Sequence, residues 1–386
     1  MNYATTYDVG ERKRDRGINE DSVSFVCFDH GHRAGRVDVE TAGDGTNRED
    51  SEQATDDEGI DSGESADEET SAVSTATGPT NSQAAVVVLA DGAGGYDAGD
   101  VASYIATTVI AEELTQVAIR AERSRPDRFD VDLSEPLPND QQAETIQAAI
   151  EEAITTAHRR ILEYVTHEGQ PAYTTVVAGI VVNGEFHYGW VGDSRAYVIN
   201  RKTESIDQLT KDHSVVTDLY EAGKIDEIES YVHPRGNEIT RAIGGDGRED
   251  PETATAPVET DSIDLFAEDI VLVTSDGLID AQTDASSLYE SYLDSDRSDA
   301  IAETVRQQVV TDDEIREWVL GADSLAAAAE TLIDCANDRG GKDNLSAVLF
   351  EDPALPETPD ESAFPQRGIE LSVELEQRET VIIPEE

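Results

Sequence analysis

The chain has 386 residues, enough for one large domain or two ordinary ones. It carries 84 acidic against 28 basic side chains, a formal net charge of -56, and a surface this acidic repels nucleic-acid phosphates and anionic lipid, which excludes both as partners. The bias runs along the whole chain rather than in one patch. That pattern reads as adaptation to a high-salt cytoplasm, with attraction of a basic-peptide substrate as the rival explanation.

The start, "MNYATTYDVGERKRDRG", has no apolar core of signal-peptide length, and no uninterrupted apolar run approaches the ~18 residues of a membrane span. A cytoplasmic location is therefore expected. A first apolar strand is predicted at 22–28. Residues 33–83 contain no aromatic residue and no leucine; so little apolar surface cannot offset the entropy of ordering, and a disordered acidic insertion is expected there. A second apolar strand follows at 85–90. Val101, Ile105, Val109, Ala111 and Leu114 recur at helical spacing over 98–120. A polar stretch with prolines separates this helix from a second, marked by Ile146, Ile150, Ile154, Ile161 and Val165 and stopped by Gly169. "TTVVAGIVVNGEFHYGWVGDSRAYVIN" reads as strand, Asn183-Gly184 turn, strand, tight turn, strand, so that hairpins and an antiparallel sheet are predicted. Further on, 270–274 is a strand, 325–336 an Ala-rich helix and 345–350 a final strand. Strands in pairs and helices in separate blocks indicate an α+β fold. One domain over 1–352 is expected, then an acidic Pro/Glu-rich tail over 353–386, within which 369–375 alternates like a strand with one apolar face.

Carboxylates recur at the ends of these strands. Asp91 ends the apolar run in "VVVLADGAGG", Asp276 follows another in "IVLVTSDGLID", and Asp343 precedes one in "GGKDNLSAVLF". Asp193 lies in the turn of "GWVGDSRAYVI", and Glu20 and Asp21 precede the first strand in "RGINEDSVSF". A single Asp-Gly reads as a solvated turn. Several of them, each at a strand end, would meet at one rim if the strands share a sandwich. Hard divalent ions take oxygen ligands of this kind, and the Gly92 carbonyl is accessible as one more. The set holds no His or Cys at ligand spacing, which disfavours zinc. The two cysteines, Cys27 and Cys335, show no CxxC spacing, so neither a disulfide framework nor a zinc site is expected.

In order, "RGINED", "LADGAGG", "YTTVVAG", "GDSRAYVI", "LTKDHSVV", "ITRAIGG", "TSDGLID" and "KDNLSAVLF" resemble the motifs of the metal-dependent protein phosphatases, the type 2C serine/threonine phosphatases. The resemblance runs from Tyr7 to Phe350 apart from insertions. It implies a four-layer α-β-β-α sandwich, two central antiparallel sheets flanked by helices. It also implies hydrolysis of phosphoserine and phosphothreonine by a hydroxide bridging two ions, Mn2+ or Mg2+, with a third ion in bacterial-type members. By the same resemblance Asp91, Asp276 and Asp343 are direct metal ligands, Gly92 supplies a carbonyl, and Glu20 and Asp21 hold metal-bound waters. Asp193 joins Asp276 at the third ion, and Arg16 grips the substrate phosphate. Asp91, Asp276 and Arg16 are the expected catalytic residues. The segment from "KDHSVVTDLYEAGKI" to "HPRGNEITRAIG" would be a mobile flap beside the site. The implied partners are a phosphoprotein substrate and an opposing Ser/Thr kinase, and a monomer is expected.

Many eukaryotic members carry a histidine, a suspected general acid, where this chain has Ala93. His213 in "KDHS" is then either that acid or a structural residue of the flap. "CFDHGHR" matches the C-x5-R spacing of cysteine-dependent phosphatases, but Asp29 inside the loop opposes a low thiol pKa. Cys27 is expected to be a buried strand residue. The alternative to an enzyme is a pseudophosphatase that binds phosphoproteins without turnover.

Overall fold

The computed structural model describes residues 1–13, 19–29, 32–39, 72–76, 84–93, 98–123, 139–282 and 284–360. The strands are Asn2–Asp8 (β1), Asp21–Asp29 (β2), His32–Val39 (β3), Ala72–Ala76 (β4) and Ala84–Ala93 (β5). Two helices follow, Gly99–Arg123 (α1) and Asn139–Glu168 (α2), then Ala172–Thr174 (β6), Val176–Val182 (β7), Glu185–Val191 (β8), Arg195–Asn200 (β9) and Ser205–Gln208 (β10). After Val215–Glu221 (α3) and Glu227–Val232 (α4) come Ile243–Gly245 (β11), Glu259–Asp264 (β12) and Asp269–Thr274 (β13). Ala285–Asp294 (α5), Asp299–Arg306 (α6), Asp312–Gly321 (α7), Leu325–Asp338 (α8) and Leu345–Glu351 (β14) complete the described elements.

Two antiparallel sheets form, as expected. One has the order β10-β9-β13-β14-β1-β4; the other runs β11-β6-β5-β7-β8-β12, with β2 pairing β5 and β3. Their strands are apolar on both faces because both faces are covered. Along β5, Val86, Val88 and Ala90 pack toward α1 and α2 with Ile110, Ile150 and Ile154. The alternate residues Ala85, Val87 and Leu89 pack between the sheets against Val198, Val273 and Phe350. On the far side, Tyr197, Leu272 and Leu349 meet Ile315 of α7 and Leu332 of α8. The period-two alternation thus divides one apolar run between two cores, and the layers read α-β-β-α.

Three expectations differ from the structure. The insertion is not wholly irregular: β3 pairs with β2 and β4 with β1. Ladder hydrogen bonds to an open sheet edge need no apolar side chain, so composition does not register them. Residues 40–71 and 77–83 lie outside the described residues. Second, β8 and β9 are not a hairpin. β8 pairs with β7 and β12, whereas β9 pairs with β13 and β10 in the other sheet. Residues 192–194 therefore form a corner between the sheets, which has the same apolar-turn-apolar pattern as a hairpin. Third, packing continues beyond 352. Thr358 is buried and accepts a 2.9 Å hydrogen bond from Asn200 Nδ2 on its hydroxyl, and Ala267 N donates to Pro356 O at 2.9 Å. The candidate strand at 369–375 lies outside the described residues. Among the described residues, no helix is long and apolar enough to cross a membrane. Cys27 is buried between the sheets, in β2.

Because β3 and β4 cover sheet edges, two deletions should differ. Removing 40–71 with a Gly/Ser bridge is expected to leave the melting temperature close to that of the full chain, since closure entropy changes slowly with loop length. Extending the cut through β3 and β4 strips ladder partners from β2 and β1 and should lower it. Thermal melts of both deletants in high salt check this; equal melting temperatures would show that the two strands contribute nothing.

Candidate metal centre

The two sheets bring their carboxylate-bearing strand ends to one rim. Asp21 opens β2 and Asp91 lies near the end of β5, and the ladder places them directly opposite each other. From the other sheet, β13 ends at Thr274, and Asp276 begins the short 3-10 turn Asp276–Leu278. Asp343 precedes β14. Ser275 ties the sheets together by donating from Oγ to Asp21 Oδ2 at 2.8 Å. Asn344 does so again, accepting from Glu20 N at 2.9 Å.

Glycines let these loops approach. A Cβ on Gly277 would stand 2.0 Å from Asn344 O, so the turns carrying Asp276 and Asp343 touch through bare backbone. A Cβ on Gly92 would stand 2.4 Å from the Gly99 carbonyl at the start of α1. Gly92 N donates to Glu20 O at 3.0 Å, which fixes the Asp91 turn beside Glu20. The threonines of "YTTV" hold the same turn. Thr175 N donates to Asp91 O at 2.8 Å, and Thr174 Oγ1 donates to it at 2.7 Å. Thr175 Oγ1 in turn lies 2.7 Å from Ser194 Oγ, next to Asp193.

Like charges buried together resist ionisation. Burial raises Asp91 well above the ordinary carboxylate range, and Asp21, Asp276 and Asp343 add to it. Burial, followed by Asp343 and Asp280, pushes Asp276 up to about 7. Burial pushes Asp21 up to about 6 despite its hydrogen bond from Ser275. Asp193 is raised in the same way, by burial first and then by Asp276. Asp91 and Asp276 interact directly, each raising the cost of ionising a neighbouring carboxylate. Asp21 Oδ1 is buried and has no hydrogen-bond partner among the described residues.

Lys13 is a cation of this rim among the described residues. Its Nζ hydrogen-bonds Asp343 and lies 3.6 Å from Glu20. Burial pulls its ammonium down, but Asp343, Glu20 and Asp91 outweigh burial and hold it above the ordinary lysine range. Among the described residues, no three acidic, His or Cys side chains are gathered around a single point as metal ligands. The Lys13 ammonium supplies positive charge among the carboxylates. An all-oxygen donor set, over-charged and with an unsatisfied buried oxygen, fits a hard divalent cation.

Asp193 is held from the other side. His213 N donates to Gly192 O at 2.9 Å, and Gly192 N donates to His213 Nδ1 at 3.0 Å. With Nδ1 accepting, Nε2 carries the ring proton and faces Glu259 Oε1 at 3.0 Å, which Arg241 also reaches at 2.6 Å. The ring is buried and stacks on Trp190 with centroids 6.1 Å apart. His213 is thus a clamp on the Asp193 corner. The segment expected as a flap contains α3 and α4 and is closed at its base by Thr240 N donating to His213 O at 2.7 Å. Of the expected site residues, Glu20, Asp21, Asp91, Gly92, Asp276 and Asp343 come together and Asp193 adjoins Asp276; Arg16 lies outside the described residues. A cleft of about 920 Å³ opens beside Asp193 and Asp276.

Comparison with known proteins points to one family. The family model "Protein phosphatase 2C" matches residues 74–320, a span that includes Asp91, Asp193 and Asp276. "Serine/threonine phosphatase stp" of Listeria welshimeri is 27% identical over 268 residues, covering 69% of this chain and 84% of that protein. Among solved structures, the serine/threonine phosphatase Stp1 from Staphylococcus aureus is 26% identical, with a TM-score of 0.50; the match covers 71% of this chain and 85% of that one. A bacterial serine phosphatase, 22% identical, has a TM-score of 0.54 over 90% of this chain and 96% of its own, and shows the shared fold.

Proposed function

This chain belongs to the protein phosphatase 2C family, and from that premise we propose that it is a metal-dependent serine/threonine phosphatase acting on phosphoproteins. The observation that supports this reading is the meeting of Asp21, Asp91, Asp276 and Asp343 from the strand ends of both sheets, with burial and mutual repulsion raising three of them. When bound, a pair of manganese or magnesium ions supplies an activated water and neutralises phosphate charge.

The chain's own residues would do the rest. Asp91, Asp276 and Asp343 would hold the ions, with the Gly92 carbonyl as a further oxygen. Glu20 and Asp21 would orient water around them, and Asp193 with Asp276 would hold a third ion. Phosphoryl transfer needs chiefly positioning and charge neutralisation, and the guanidinium of Arg16 would supply a fork for the phosphate oxygens. His213 is buried with both ring nitrogens engaged, so the leaving oxygen would take its proton from water. We place the enzyme in the cytoplasm as a monomer, opposed by a Ser/Thr kinase.

Hydrolysis of phosphoserine and phosphothreonine peptides with manganese, and its loss on chelation, tests the assignment. Tight phosphopeptide binding without turnover in saturating metal would favour the pseudophosphatase. Arg16→Ala is expected to raise KM for the phosphopeptide several-fold, with a smaller fall in kcat, because its grip is made in the ground state. An unchanged kcat/KM would remove Arg16 from the site.

A further inference from the structure

The cleft beside Asp193 and Asp276 extends well past the candidate metal centre. One wall is β9 and β10, with Arg195, Ile206 and Gln208; the second is the α3–α4 segment, with Tyr220 and Tyr231. The third comes from α6 and the start of α7, from Glu303 to Glu314. Helices α4, α5 and α6 share a small core of their own, including Ile228, Val232, Leu288, Tyr292 and Val305, which holds the second and third walls together.

Nine carboxylates and three cationic side chains line this cleft. The cations are already engaged. Arg195 grips Asp212 in bidentate fashion at 2.7 and 2.9 Å, and Lys211 Nζ donates to Glu221 at 2.6 Å. Arg306 lies 3.7 Å from Glu227 and 4.0 Å from Glu303, both largely exposed. Asp312 makes no ion pair among the described residues, and its negative charge is felt at both Arg195 and Tyr231. Tyr220 is half exposed and offers a ring face to a guanidinium. A concave wall of net negative charge focuses its field on whatever enters.

We propose that this cleft receives the residues flanking the phosphorylated serine or threonine and selects basic ones, so that the preferred substrates are phosphoproteins with arginine or lysine near the phosphosite. The proposal rests on the phosphatase reading and adds the substrate class. The phosphate would lie at the Asp193–Asp276 end, where bound metal ions would neutralise it. The flanking chain then meets Glu227, Glu303 and Asp312, where an acidic side chain is repelled and a cationic one is held.

The test compares two phosphopeptides that differ only in carrying Arg or Glu at the flanking positions, at constant high KCl. The readout is their ratio of kcat/KM, which is insensitive to a general loss of activity. Wild type is expected to favour the Arg peptide about ten-fold, the sum of a few partly screened pairs. Because the whole surface is acidic, two variants separate the cleft from the global field. Glu303→Gln with Asp312→Asn should bring the ratio to within about two-fold. Glu144→Gln with Glu151→Gln, exposed on α2, removes the same charge elsewhere and should leave the ratio as in wild type. Equal rates for the two peptides, or equal loss of preference in both variants, would overturn the proposal. Failure to hydrolyse either peptide would overturn the phosphatase reading and this with it.

Discussion

Asp276→Asn is expected to lower kcat by about a hundred- to a thousand-fold or more, and Asp91→Asn to do the same, because under the proposed mechanism the nucleophile depends on ions that these two carboxylates would hold. The fold should survive. Both side chains are buried among like charges, so a neutral amide removes repulsion, and in chelator the variants should melt no lower than wild type. The rise in melting temperature on adding manganese should shrink in both. That rise should also depend on pH in wild type. Asp276 and Asp91 have raised folded-state pKa values, so the metal-free fold binds more protons than the unfolded chain. The contribution of these two groups to stability is fully present below the ordinary carboxylate range and is lost as pH rises through about 7. Metal must displace those protons, so the manganese-induced gain should be larger at about pH 8 than at about pH 5.5. Near-normal turnover by either variant in saturating metal would remove these residues from the mechanism, and a pH-independent gain would show that no protons are displaced.

The second large effect is of salt. The 28 cations cannot neutralise 84 carboxylates. At 0.01 M salt the Debye length is about 30 Å, so charges repel across the width of the domain; at 1 M it is about 3 Å and only neighbours interact. Dilution from molar to millimolar KCl is therefore expected to lower the melting temperature by tens of degrees or unfold the protein outright. Differential scanning calorimetry across a KCl series measures it, and a flat profile would contradict adaptation to high salt.

What could be read in advance divides along a physical line. The strand-end carboxylates were legible because apolar runs that stop at an Asp beside small residues are local patterns. Asp91 and Asp276 both show it. The β8–β9 corner was not, since a hairpin and a sheet-to-sheet crossing share one local pattern and differ only in distant partners. Lys13 was not legible either: within "ERKRDRG" it is one cation among several, and only the fold sets it beside Asp343 and Glu20. Helices α5 and α6, of 10 and 8 residues, are too short to show sustained periodicity in the sequence. For α7 a signal was available. Thr311 and Glu314 form a reciprocal capping box, with Glu314 N donating to Thr311 Oγ1 and Thr311 N to Glu314 Oε2. His213 was legible as a position but not as a clamp, which needs Gly192 opposite it.

Strand β5 belongs to both apolar cores and carries Asp91 near its end. A genetic screen for loss of function should therefore recover lesions along its length as readily as at the carboxylate itself. Truncating Val88 or Leu89, both wholly buried, leaves a void costing about 2–5 kcal/mol for a leucine and less for a valine. Either change also loosens the backbone that sets Asp91 opposite Asp21. Such alleles would be conditional, active in the cool and lost in the heat, whereas Asp91 alleles would be inactive at every temperature. Suppressors that restore volume from the facing helices or the opposite sheet would rescue the first class and never the second.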